Sequence, residues 1–305
     1  MAPTKSPPFA FEGRRRTAMT VVFGHATKVT YSYVELLNSH ATFLATTTHL
    51  ATPPPKGFTM THDLRAETIT ISGFAGDEIE AYLATPTDAT SVGSMVVIHH
   101  LPGYDEATKE IARKFAANGY AALVPNLYHR EAPGASPDDA AATARSLGGV
   151  SDDQLVGDVE GASRYLRSLG TSNGKVGSIG YCSGGRQSFL AGCRLPLDAV
   201  IDCYGAFVVG DPPADFPLRV KGLLDEVGGL TAPVLGLFGA DDQYPSPEQS
   251  DILAAALTAA GKEYTFRTFD GAGHAFFNVD RPSYRPEAAV EGWGEIFTFL
   301  ARTLN

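Results

Sequence analysis

The chain has 305 residues, of which 44% are hydrophobic and 19% are charged, and its formal net charge is −10. These values are typical of a soluble globular protein, and the negative charge argues against nucleic acid or an anionic membrane as the main partner. No run of about 18 apolar residues occurs in the sequence, so no bilayer-spanning helix is expected.

The first 59 residues differ in composition from the rest of the chain. They hold six basic residues against two acidic ones, which leaves a net charge of −14 for the remainder. The segment is rich in Thr, Ser, Ala and Pro, and it lacks the apolar region of a secretory signal. An Arg-rich, acid-poor start also fits a transit peptide. The composition favours an N-terminal extension over 1–59 that is disordered or precedes the true start at Met60, followed by one domain at 60–305.

From Thr61 onward the hydrophobic pattern becomes regular. Alternating residues at Glu67–Ser72 and Glu78–Leu83 predict a β-hairpin, and the apolar run Met95–Leu101 predicts a buried strand. Helical and strand patterns then alternate to the C terminus, apart from an irregular insert at 210–229. This alternation predicts an α/β fold with a mainly parallel sheet and helices on both faces. The predicted helices are Ala107–Asn118, 137–170, one that begins near Gly184, Pro247–Ala260 and Pro286–Leu304, and the later strands are Tyr120–Pro125, Val176–Tyr181, Ala199–Gly205, Pro233–Gly239 and Tyr264–Phe269.

One strand-to-helix turn has the spacing of a nucleophile elbow. Cys182 stands two residues after Gly180 and two before Gly184, which is the pattern G-x-S-x-G with sulfur in place of the hydroxyl. The strained turn requires small neighbours, and the following helix N-terminus favours a thiolate. Cys193 and Cys203 are interpreted as small core residues. Three cysteines without metal-ligand spacing indicate free thiols in a reducing cytoplasm.

The partners of the cysteine follow from chain order. In elbow-containing folds the acid and then the histidine follow the nucleophile, each after a strand. His274 is the only histidine after Cys182, and it lies in a glycine-containing loop directly after a predicted strand. Two acids, Asp241 and Asp242, follow the preceding strand, and either could orient the imidazole.

An oxyanion site requires two backbone donors. The N–H of Ser183 is one candidate, and the loop after the His99–His100 strand supplies the other. Pro102 has no N–H, so Leu101 is the better choice. The two adjacent histidines point to opposite faces of a strand and lack a third ligand, so neither a metal nor another cofactor is expected.

These motifs resemble the dienelactone hydrolase (carboxymethylenebutenolidase) family of α/β-hydrolases. The resemblance covers the chain from about Thr61 to the C terminus and rests on the elbow, the Gly-Ala-Asp-Asp turn, Ala272-Gly-His-Ala-Phe276 and the segment Gly119–Arg130. It implies a Cys182–His274–Asp242 triad that hydrolyses a small lactone or carboxylic ester.

Two positions depart from the family pattern. His100 stands where typical members carry a Glu that contacts the resting cysteine, and Asn278 stands where the true dienelactone hydrolases carry an arginine for the substrate carboxylate. Arg281 lies near that position, and Arg130 is a further candidate for the substrate pocket. The departures leave the natural substrate open, and they leave a non-hydrolytic ligand-binding or thiol-sensing protein as the alternative function. The oligomeric state does not follow from the sequence.

Overall fold

The structure is a computed structural model that describes residues 62–305 and, for the backbone alone, three short strands closer to the N terminus. The chain divides into two units, Met1–Phe58 and Thr59–Asn305. In the first unit the three strands pair in an antiparallel sheet in the order β1-β2-β3. The prediction for 1–59 lies mostly outside the described residues and stays a prediction. The three strands are β1 (Thr17–Phe23), β2 (Thr27–Tyr33) and β3 (Leu44–Thr46).

The second unit is built on an eight-stranded sheet with the order β11-β10-β9-β8-β6-β7-β5-β4. Strands β4 and β5 form the predicted hairpin, and β5 runs opposite to the other seven strands of the sheet. Strands β6, β7, β9 and β10 are buried along their whole length because helices cover both faces. The strands are β4 (Leu64–Ser72), β5 (Glu78–Pro86), β6 (Val92–Ile98), β7 (Ala121–Pro125), β8 (Ser172–Tyr181), β9 (Ala199–Cys203), β10 (Val234–Gly239) and β11 (Tyr264–Phe269).

Six helices cover the sheet. Helices α1 and α6 pack on one face through residues such as Phe115 and Phe297, and α2 to α5 contribute to the apolar layer on the other face. The predicted helical region 137–170 is two helices, and Ser136 caps the first of them. Within the described part of the chain, no helix has the length and hydropathy to cross a membrane. The helices are α1 (Glu106–Ala117), α2 (Pro137–Ser146), α3 (Asp152–Ser168), α4 (Ser183–Arg194), α5 (Pro247–Ala259) and α6 (Pro286–Thr303).

The sheet therefore has the mainly parallel α/β architecture that the sequence predicts. Strands β6 and β8 to β11 are parallel, so their carboxyl ends meet at one edge. The predicted site residues all follow these strands, apart from Arg130, which follows β7. Loops at this edge are where α/β folds bind ligands.

Candidate active site

Cys182 forms the turn between β8 and α4, and its backbone is strained. Its φ of 58° and ψ of −122° are sparsely populated for a residue with a Cβ and cost about 1–3 kcal/mol. A Cβ on Gly180 would collide with the carbonyl of Gly184, and a Cβ on Gly184 would lie 2.6 Å from the Ile98 oxygen. The two glycines are therefore required by the turn that presents the thiol at the N-terminus of α4.

His274 lies in the loop after β11 and joins Cys182 to a carboxylate. Its Nδ1 is 2.9 Å from Oδ2 of Asp242. Burial by itself lowers the pKa of His274, but hydrogen bonds to Asp242 and Cys182 and the charges of both groups raise it to about 10. The imidazole is thus held between an acid and a thiol, and this surrounding favours its protonated form.

The structure separates the two adjacent acids of the turn after β10. The Asp242 side chain is 2% exposed, and its second oxygen accepts a hydrogen bond of 2.9 Å from the backbone N–H of Tyr244. Asp241 is exposed, and it contributes its backbone N–H to the Ala272 oxygen at 2.9 Å. Asp242 is the acid that contacts His274.

Leu101 and Ser183 lie beside Cys182 around a small cavity of about 60 Å³, here called the cysteine cavity. In the part of the chain that the structure describes, the N–H groups of Leu101 and Ser183 have no acceptor. The Tyr128 hydroxyl donates a hydrogen bond of 3.1 Å to the Leu101 carbonyl and so holds the Leu101 backbone in place. Tyr128 lies within the segment Gly119–Arg130, but the sequence alone indicated no role for it.

The insert at 210–229 forms one wall of the cysteine cavity. Phe216, Leu218 and Val220 line the cavity. The guanidinium of Arg186 is almost fully buried, and it donates hydrogen bonds of 2.8 and 3.3 Å to the Lys221 carbonyl. The insert is thereby fixed to the first turns of α4 and limits the space beside the thiol.

The loop between β11 and α6, residues 270–285, carries His274 and is here called the histidine loop. A second and larger cavity of about 420 Å³, here called the aromatic cavity, lies between α1, α6 and this loop. The rings of Tyr204, Phe277 and Trp293 form much of its wall. The Tyr204 ring packs edge-on against His274 with centroids 5.2 Å apart, so one wall residue of the cavity contacts the imidazole. His100 and Asn278, both predicted at the pocket, line this cavity.

His100 is held by a carboxylate of its own. Its Nε2 is 2.8 Å from Oδ2 of Asp105, the N-cap residue of α1. The preceding His99 is 1% exposed, and both of its ring nitrogens are engaged, by the His100 oxygen and the Leu127 N–H. Burial lowers the pKa of His99 to about 4 against the raising effect of its hydrogen bond to His100. Among the described residues, no group of three His, Cys, Asp or Glu could hold a metal ion.

The structure corrects the expectation for Arg130. Its guanidinium does not line either cavity, because it forms two hydrogen bonds of 2.9 Å with Asp158 and one of 2.8 Å with Asp77. The Asp158 side chain is fully buried and needs this counter-charge. Arg281 is exposed at the surface of the histidine loop and also lines neither cavity.

Asp202 is a site neighbour that sequence reasoning missed. One of its oxygens accepts a hydrogen bond of 2.7 Å from Gly205, and the other has no partner in the described region. Burial raises the pKa of Asp202 to about 7, although the Gly205 hydrogen bond and the charge of His274 lower it. The signal was present as an acid inside the apolar strand Ala199–Cys203.

Comparison with known proteins agrees with the observed fold. The model of the dienelactone hydrolase family matches residues 79–304. A Methylorubrum extorquens protein named "Putative carboxymethylenebutenolidase" is 34% identical over 218 residues, which are 70% of this chain and 74% of that protein. A Salmonella typhimurium protein with the same name is 31% identical over 233 residues, covering 74% and 84% of the two chains.

Solved structures with the same fold include relatives of both moderate and low identity. The crystal structure of a "Putative Dienelactone Hydrolase" from Klebsiella pneumoniae has a TM-score of 0.70 at 27% identity and covers 79% of this chain and 99% of its own. A dienelactone hydrolase from Anabaena variabilis matches with a TM-score of 0.58 at 15% identity and covers 80% and 100% of the two chains. The chain belongs to the dienelactone hydrolase family of α/β-hydrolases, and it is a hydrolase of lactones or carboxylic esters.

Proposed function

We propose that Cys182 is the nucleophile of this hydrolase and that it acts through a thioester acyl-enzyme. His274 takes the Cys182 proton, and the resulting thiolate attacks the carbonyl carbon of a small ester or lactone. Asp242 holds the imidazole in the tautomer that leaves Nε2 free for the thiol, and it stabilises the imidazolium.

The amides of Leu101 and Ser183 are proposed to hold the oxyanion of the tetrahedral intermediate. His274 then returns its proton to the leaving oxygen as the carbon–oxygen bond breaks, which leaves the acyl group on Sγ. A water molecule, activated by His274, attacks the thioester, and the acid product leaves as the thiol is restored. Acylation and hydrolysis of the thioester both use His274 as the proton carrier and the two amides as oxyanion donors, and neither step needs a cofactor.

The observation that carries the proposal is the continuous contact from Asp242 through His274 to Cys182. Cys182 lies at the N-terminus of α4, where the backbone dipoles favour a thiolate. The two other cysteines offer no such surroundings, because both are buried, and burial raises the pKa of Cys193 to about 12.

The test compares two single cysteine substitutions. Cys182→Ala should reduce hydrolysis of p-nitrophenyl acetate by about 10⁶-fold, the scale seen when a catalytic unit loses its nucleophile. Cys193→Ala is the matched control and should retain near-wild-type turnover. Acid quenching during turnover, followed by peptide mass spectrometry, should place an acetyl group on Cys182. Wild-type activity in Cys182→Ala would refute the proposal.

The same experiment separates a hydrolase from a ligand-binding or thiol-sensing protein. A sensor would label selectively at Cys182 with iodoacetamide, but it would release no p-nitrophenol and carry no acetyl group after quenching. That pattern would overturn the catalytic role and leave only a reactive thiol.

A further inference from the structure

The two cavities differ in size and in the residues that line them. The cysteine cavity is about 60 Å³ and has Leu101 and Ser183 in its wall, whereas the aromatic cavity is about 420 Å³ and has none of the three cysteines in its wall. Ligand pockets for small molecules usually span about 300–1,000 Å³, and of these two cavities the aromatic one has that size. The cysteine cavity has room for roughly four water-sized probes, or a short acyl chain.

The histidine determines which arm of an ester lies in which cavity. His274 must protonate the leaving oxygen, so the alcohol has to leave on the side of the histidine loop. Four residues of that loop, Phe277 to Asp280, line the aromatic cavity, and none lines the cysteine cavity. The oxyanion faces Leu101 and Ser183, which leaves the cysteine cavity for the acyl carbon.

The wall of the aromatic cavity suits an uncharged apolar group. Its surface is formed largely by rings and by the half-buried Ile111. Its charged rim is mainly acidic, with Glu106, Glu110 and Asp280, and the ammonium of Lys114 is directed at the Trp293 ring, 4.2 Å from the centroid.

An anionic group would therefore lose its hydration in this cavity beside three carboxylates and a single ammonium. Asn278 could offer only its uncharged Nδ2 group, because its oxygen accepts a hydrogen bond from the backbone N–H of Asp280 at 3.1 Å. The cavity thus selects against a carboxylate as well as for apolar area.

We propose that the substrate is an ester of a short acyl group with a bulky, uncharged, apolar alcohol, and that this alcohol lies in the aromatic cavity. The inference rests on the proposed function. In the acylation step the Cys182 sulfur forms a bond with the acyl carbon, the bond from that carbon to the alcohol oxygen breaks, and the oxygen takes the His274 proton. Water then replaces the sulfur and yields the short acid.

The substrate test uses three comparisons of kcat/KM, with hydrolysis followed in a pH-stat. Benzyl acetate should exceed ethyl acetate by about tenfold or more, the usual scale for adding apolar groups in a fitted pocket. Ethyl phenylacetate, with the ring on the acyl arm, should fall about tenfold below ethyl acetate because the cysteine cavity cannot hold it. Acetates of 4-carboxybenzyl alcohol should react about tenfold more slowly than those of 4-methylbenzyl alcohol, because the carboxylate is desolvated beside three other carboxylates and a single ammonium.

Variants test the assignment of each arm. Ile111→Ala and Trp293→Ala should each lower the benzyl-to-ethyl preference about three- to tenfold, since each removes apolar contact area from the wall. Ile252→Ala is the matched control for Ile111→Ala, because Ile252 is 48% exposed on α5 and lines neither cavity. Phe216→Ala should raise turnover of ethyl phenylacetate and leave the benzyl preference unchanged.

The outcomes separate this inference from the proposed function. Turnover that survives in Cys182→Ala refutes the proposed function. Cys182-dependent turnover that favours the ring on the acyl arm, that favours the carboxylate, or whose benzyl preference is unchanged in both wall variants overturns the inference alone. If the wild type hydrolyses no ester of the panel, both fail.

Discussion

Two histidine–aspartate pairs lie at the carboxyl edge of the sheet, and their contacts are almost equal in length. His274 Nδ1 is 2.9 Å from Asp242, and His100 Nε2 is 2.8 Å from Asp105. The pairs differ in the nitrogen that they use. His274 contacts the acid through Nδ1, so its Nε2 is free of the acid, whereas His100 contacts the acid through Nε2.

The second oxygen of each carboxylate shows a further difference. Asp242 uses it for the backbone N–H of Tyr244 in a loop, while Asp105 accepts hydrogen bonds of 2.8 Å from both the N–H and the hydroxyl of Thr108 as the N-cap of α1. Burial raises the pKa of Asp105, but the hydrogen bond and charge of His100 and the bonds from Thr108 lower it to about 2. In the proposed mechanism the same short contact serves proton transfer in one pair, whereas in the other it belongs to a helix terminus.

The largest expected effect is on kcat, which should fall far more when Asp242 is substituted than when Asp105 is substituted. Asp242→Asn should lower kcat by about 10³–10⁴-fold, because an amide favours the wrong imidazole tautomer and does not stabilise imidazolium. Asp105→Asn should change kcat by only about twofold, since asparagine caps a helix as well as aspartate does. Steady-state assays with p-nitrophenyl acetate measure both. Equal losses in the two variants would contradict the distinction between the pairs.

A smaller effect should appear in the free energy of unfolding, and here Asp105 should matter rather than Asp242. Asp105→Ala removes the N-cap of α1 and should lower the free energy of unfolding by about 1 kcal/mol, whereas Asp105→Asn should stay within a few tenths. Urea denaturation monitored by circular dichroism measures the difference. If alanine and asparagine are equally stable at this position, the carboxylate of Asp105 does not act as the cap.

The comparison also indicates what the sequence could predict. The elbow, the single histidine after it and the order of strands and helices were predictable, because they depend on local patterns and on chain order. The choice between Asp241 and Asp242 came from family spacing, and the contact of Asp242 with His274 agrees with it. The elbow and the acid turn could be predicted because each depends mostly on a short segment of the sequence.

The remaining features depend on contacts between distant segments. Arg130 is bound by Asp158, 28 residues later, and this pairing follows from how α3 packs on the sheet. The position of the insert depends on the buried Arg186, and no local pattern predicts that Phe216 would reach the thiol. An apolar run predicts a strand, but it does not specify which residues face a cavity.

The smallest expected effect is the pH dependence of stability that His274 introduces. Its pKa in the folded protein is about 10, above the ordinary 6.5, so the folded state holds a proton that the unfolded state has lost between these values. The stabilisation is fully present below pH 6.5 and is lost as the pH rises through about 10. The side chain is 34% exposed, and solvent screening reduces the expected contribution to about 0.5 kcal/mol. We expect the free energy of unfolding to fall more between pH 6.5 and 9.5 in the wild type than in His274→Gln, as measured by urea denaturation at both pH values. The Cys182→Ala variant keeps Asp242, and its free energy of unfolding should fall by an intermediate amount. Equal decreases in all three proteins would show that the pair with Asp242 adds no proton-linked stability.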